Sequence, residues 1–73
     1  MIYPITLRNK EDVIRLNEMA TKEKFNLNVS NGSVVIDAKS LLALFSLIGK
    51  TVNLVTSDST DPSQFRAFLK KFI

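Results

Sequence analysis

The chain is predicted to be an α+β two-layer sandwich of order β-α-β-β-α-β-α. Three observations carry this reading. Apolar residues alternate with polar ones in several short segments, as in half-buried strands. They recur at helical spacing in two longer segments. An Asn31-Gly32 pair, a strong hairpin signal, joins two of the strand-like runs. Four short strands that bury one face need a layer of helices on that face. The pattern gives one antiparallel pair and leaves the order of the other strands open.

Ile2 to Leu7 reads as the first strand. Pro4 lacks an N–H, so it belongs near a strand start or on a sheet edge. Asn9 follows as a helix cap, with Asp12 three residues on as in a capping box. Val13, Leu16, Asn17 and Ala20 mark the buried stripe of this first helix. Charged residues fill its wet face, with Glu18 and Lys22 in the favourable i,i+4 order.

Phe25 to Val29 alternates strictly and predicts the second strand, and Ser33 to Asp37 the third. A short helix is expected over Leu41–Ile48, with Ser40 placed to cap it and Gly49 to end it. Thr51 to Thr56 is the fourth strand. After the polar loop Ser57–Thr60, Asp61-Pro62 opens the last helix, because proline suits the first helical turn. Phe65, Phe68, Leu69 and Phe72 form its core face, and Lys70 and Lys71 suit its negative end.

The Leu41–Ile48 helix is the most informative element. Ser46 is its only polar interruption. A helix on a two-layer domain buries one stripe, so part of this apolar surface must face outward. Leu44 and Ile48 are expected in the core. Leu41, Leu42, Phe45 and Leu47, with Lys39 beside them, are the expected partner-binding residues.

With 73 residues the chain makes one domain spanning 1–73. It has neither cysteine nor histidine, which removes thiolate metal sites, the commonest general base and the commonest transition-metal ligand. Glu11 and Asp12 lack further convergent carboxylates, so no metal site is expected. Without a phosphate-cradling glycine loop or a nucleophile–base pair, neither a cofactor nor an enzymatic activity is expected. No run approaches a membrane span, and the start of the chain does not read as a secretory signal, so the expected location is cytoplasmic. The net charge of +3 is spread along the sequence among acids, so neither nucleic acid nor membrane is an expected partner.

The order of elements, with Lys39-Ser40-Leu41-Leu42 opening a helix after the Asn31-Gly32 hairpin, resembles the histidine-containing phosphocarrier protein (HPr) family of the bacterial sugar phosphotransferase system. The similarity spans nearly the whole chain and is strongest from Phe25 to Phe68. It implies an open-faced sandwich with sheet order 1-4-2-3. The family's carrier histidine opens the first helix and is followed, after one residue, by arginine and proline. Asn9, Glu11 and Asp12 occupy those positions here, so histidine phosphotransfer is excluded. Ser40 matches the family's regulatory serine, which a dedicated kinase phosphorylates in some bacteria to make a corepressor. The catabolite-repression HPr-like branch likewise keeps this serine and lacks the histidine. The resemblance implies a regulatory or interaction module whose partners are a phosphotransferase-system component, an HPr kinase or a transcriptional regulator. The alternative is a degenerate structural domain that homodimerises through the same helix.

Overall fold

A computed structural model describes the whole chain, Met1–Ile73. Four strands, β1 (Ile2–Thr6), β2 (Asn28–Asn31), β3 (Val34–Asp37) and β4 (Thr51–Val55), form one antiparallel sheet in the order β1-β4-β2-β3. Three helices, α1 (Lys10–Thr21), α2 (Leu41–Leu44) and α3 (Pro62–Phe72), complete the fold. The α+β class agrees with the sequence pattern, and the 1-4-2-3 order, which the pattern left open, is the one the resemblance implies.

Strand alternation sorts the residues onto two faces. Val29, Val52 and Leu54 are buried under the helices, whereas Thr51, Asn53 and Val35 lie on the other face and are exposed. The core joins these strand residues to Val13, Leu16 and Ala20 of α1 and to Phe65, Phe68 and Phe72 of α3. Phe68 sits at the aromatic centre. It meets Phe25 edge-on, with ring centroids 6.2 Å apart, and stacks on Phe72 at 6.1 Å. Offset and edge-to-face pairs of this kind suit the ring quadrupoles.

Met1 and Thr56 exchange two backbone hydrogen bonds, at 2.9 and 3.0 Å. Antiparallel alternation then turns the polar groups of Tyr3 and Ile5 toward β4 and those of Ile2, Pro4 and Thr6 toward the free edge. Pro4 therefore stands on an edge strand, at a position where no ladder donor is required, as its chemistry demands.

Three sequence expectations need correction. The second strand begins at Asn28 rather than Phe25. Asn28 pairs with Val55, the last residue of β4, so the residues before it have no partner on that side. Phe25 and Leu27 are nevertheless buried. The hairpin turn is Gly32-Ser33, one residue later than expected, because Asn31 stays in β2 opposite Val34. Gly32 has φ +62°, and no other residue type in the chain has positive φ. A glycine with positive φ at the first central position is the requirement of a type II′ turn. The third correction concerns the apolar helix. Only Leu41–Leu44 is α-helical, and Phe45–Leu47 winds on as a 3₁₀ turn before Gly49, at φ +86°, ends it.

Candidate functional site

Ser40 follows a turn anchored on two sides. The Ala38 N–H donates to the Leu27 carbonyl at 2.9 Å, and the Asn17 side-chain amide donates to the Ala38 carbonyl at 3.1 Å. One contact ties the turn to β2's lead-in, the other to α1. Asp37 closes it, accepting from the Lys39 N–H through Oδ1 and from the Ser40 N–H through its carbonyl, both at 2.9 Å. Ser40 is thus held by its backbone while its side chain stays exposed.

The Ser40 hydroxyl does not cap α2, contrary to the expectation from sequence. Only the Ser40 carbonyl joins the helix, accepting from the Leu44 N–H at 3.1 Å. Its backbone, at φ −95° and ψ 87°, lies outside the extended conformation usual at an N-cap. Lys39 beside it is exposed.

The apolar residues expected to contact a partner divide into three groups. Leu42 is 85% exposed and projects into solvent. Leu41 and Phe45 are partly buried against the core. Leu47 is buried, at 3% exposure, and so is a core residue rather than a contact. Ile48, expected in the core, is instead exposed. The exchange follows from the helix type. From the buried Leu44, α-helical spacing leads to Ile48, whereas the three-residue turn of a 3₁₀ helix leads to Leu47.

The start of α1 is a closed hydrogen-bonded unit. Asn9 caps the helix, its side-chain oxygen accepting from the Asp12 N–H at 2.9 Å. Asp12 reaches back to accept from the backbone N–H of Arg8 at 3.0 Å and from its Nε at 3.2 Å. The return bond of the capping box therefore goes to Arg8, one residue before the cap. The Arg8 backbone N–H and then its guanidinium hold the Asp12 carboxyl below its ordinary range. The Asn9 amide at this helix start is not a nucleophile, and the Asp12 carboxylate beside it is already engaged by the two Arg8 donors. Nowhere do three or more Asp or Glu side chains converge as metal ligands would.

The crystal structure of HPr-C-His from Thermoanaerobacter tengcongensis superposes on this chain with a TM-score of 0.73. The match covers 99% of this chain and 90% of that one, at 19% sequence identity. The chain has the HPr fold. No protein-family model matches it, and no curated protein matches it in sequence. In this chain the start of α1 carries Asn9, and the turn before α2 carries Ser40.

Sequence reasoning missed Arg8 and Arg15. Arg8 was legible as the i,i+4 partner of Asp12. Arg15 lies over the Phe72 ring, 4.7 Å from its centroid, a contact between α1 and the end of α3 that no local pattern announces.

Proposed function

We propose that the chain is a non-catalytic regulatory and interaction module of the HPr fold, related to the phosphoenolpyruvate-dependent sugar phosphotransferase system and switched by phosphorylation of Ser40. The observation that carries this reading is the Ser40 hydroxyl, exposed and free of the helix it precedes, on a turn its backbone holds in place. A kinase needs such a hydroxyl, and modifying it breaks no cap.

The surface beside it supports the same reading. Leu42, two residues on, is the most exposed large apolar side chain of the chain. Leu41 and Phe45 offer partial apolar surface nearby in sequence, and Lys39 adds a charge. A phosphoryl group would place about two negative charges next to this apolar patch. A partner that buries Leu42 would meet that charge either as a clash or as an arginine ligand. Both the kinase and a transcriptional regulator or phosphotransferase component are partners of that kind. No helix is long and apolar enough to cross a membrane.

The test is intact-mass measurement with peptide mapping, on protein from its native host and after incubation with that host's HPr kinase and ATP. One phosphate at Ser40, absent from Ser40→Ala, establishes the switch. An unmodified chain in both samples removes it. Sedimentation across a range of concentrations then separates a module that waits for another protein from one that pairs with itself.

A further inference from the structure

The outer edge of β1 opens onto a groove that the Ser40 surface does not share. Two adjoining depressions, of about 430 and 350 Å³, meet at Tyr3 and Ile73. Tyr3, Pro4, Ile5 and Thr6 all line the first of them. Successive strand residues point to opposite faces, so four in a row line a cavity only where it runs along the strand's edge. The backbone groups of β1 that do not pair with β4 therefore face this groove. They are the carbonyls of Pro4 and Thr6 and the N–H of Thr6, and the free carbonyl and N–H of Ile2 continue the same edge just beyond the lining.

The opposite wall comes from the helices and the β1–α1 connection, and it is basic. Arg8 and Arg15 line one depression, and Arg66 and Lys70 the other; all four are exposed. Asp12 is the one acidic side chain in either lining, and Arg8 already engages it. The Arg8 and Arg15 guanidiniums keep donors to spare. Arg8 spends only its Nε on Asp12, and Arg15 gives one Nη2 bond to the Lys71 carbonyl at 3.4 Å, out of five N–H groups each. Between the edge and the cations lies an apolar floor, in which Phe72 is buried and Leu69 partly buried while Tyr3 and Ile73 are open to solvent.

We infer that this groove binds an acidic, extended peptide segment of a partner protein, which lies along the free edge of β1 with aliphatic side chains on Tyr3 and Ile73 and carboxylates on Arg8, Arg15, Arg66 and Lys70. Charge complementarity selects an anionic partner. The strand edge selects a polypeptide among anions, because the row of free carbonyls needs N–H donors at peptide spacing. A phosphodiester backbone presents acceptors only. Stacking offers little to bases either, since one face of Phe72 is taken by Arg15 and Tyr3 is the single open aromatic. Pro4 tempers the site. It accepts from a peptide N–H but donates nothing in return, so the ladder is interrupted at its middle. Such an interruption suits a reversible contact and disfavours edge-to-edge aggregation.

The experiment titrates the folded chain with the capped peptide acetyl-Glu-Glu-Ile-Leu-Glu-Glu-amide and follows its amide NMR signals. The expected result is saturable shifts at Ile2, Thr6, Arg8 and Arg15, with slowed exchange of the Ile2 and Thr6 N–H groups. The double variant Arg66→Gln/Lys70→Gln changes exposed α3 positions only, and should weaken binding about tenfold or more while lowering Tm by no more than a few degrees. Raising salt to about 0.5 M should weaken it further. The same peptide with lysine for glutamate should not bind. Four outcomes overturn the inference: no shifts up to millimolar peptide, shifts confined to α2, equal binding of the lysine peptide, or tighter binding of a single-stranded thymidine oligonucleotide or of phosphatidylserine vesicles through the same residues.

Discussion

Asp12 holds Arg8 twice, once by the backbone N–H at 3.0 Å and once by the guanidinium Nε at 3.2 Å. The backbone bond matters more, because the Arg8 side chain is 74% exposed and an ion pair in water contributes little. The pair fixes how the chain leaves β1 and enters α1. The Asp12 carboxylate also lies in the first turn, where the helix dipole favours negative charge.

The first prediction follows from this pair. The folded state binds the Asp12 proton less readily than the unfolded chain does, where such a carboxyl titrates near pH 4. Its stabilisation is thus complete above that value and is lost as pH falls through the lower folded-state pKa. Asp61, which accepts from the Ser63 N–H at the start of α3, is lowered for a like reason and acts in the same direction. Asp12→Asn should cost on the order of 1 kcal/mol at pH 7. The deficit relative to the parent should shrink toward pH 2. Urea unfolding at several pH values checks both; a deficit that grows on acidification would contradict the assigned role.

The two expected caps give a second, contrasting prediction. Asn9 Oδ1 accepts from the Asp12 N–H, whereas the Ser40 side chain makes no capping bond. Asn9→Ala should therefore lose about 1 kcal/mol. Ser40→Ala should stay within about 0.5 kcal/mol of the parent, the range of ordinary surface changes. Parallel thermal melts of the two variants decide it. A Ser40→Ala loss equal to that of Asn9→Ala would restore the hydroxyl as a cap and weaken the case for a free phosphorylation site.

These contrasts also mark what was legible in the sequence. Asn9, Asp61-Pro62 and the Phe65-Phe68-Phe72 stripe act through residues a few positions apart, so local pattern found them. The Gly32-Ser33 turn was missed by one residue because the pairing of Asn31 with Val34 is a tertiary choice. The exchange of Leu47 for Ile48 turned on 3₁₀ against α winding, which an apolar run does not reveal. The basic groove was invisible for another reason. Arg8, Arg15, Arg66 and Lys70 come from opposite ends of the chain, and only the packing of α1, α3 and β1 brings them to one edge.

Leu42 and Leu47 supply the third prediction, because the same residue type serves opposite ends. Leu42→Ser removes an exposed side chain and should leave stability within about 0.5 kcal/mol. Leu47→Ala opens a cavity in the core and should cost about 2–5 kcal/mol. If Ser40 and Leu42 form one contact surface, Leu42→Ser should also abolish capture of the regulatory partner. Chemical denaturation separates the pair. Equal losses in the two variants would mean that Leu42 is covered by something the isolated chain retains in solution.

The last prediction concerns Thr56. Its backbone completes the β1–β4 ladder with Met1, but its hydroxyl is buried without a partner, in a residue only 4% exposed. A buried hydroxyl that makes no hydrogen bond carries its full desolvation cost, on the order of 1–3 kcal/mol. Valine has nearly the same shape and lacks that cost. Its β-branch suits the strand end equally well. Thr56→Val should therefore raise stability by about 1 kcal/mol, seen as a higher urea midpoint with an unchanged slope. Thr56→Ala gives the control, because it removes the same hydroxyl together with the packing methyl and should gain less or lose. A loss in Thr56→Val would show that the hydroxyl is hydrogen-bonded in solution.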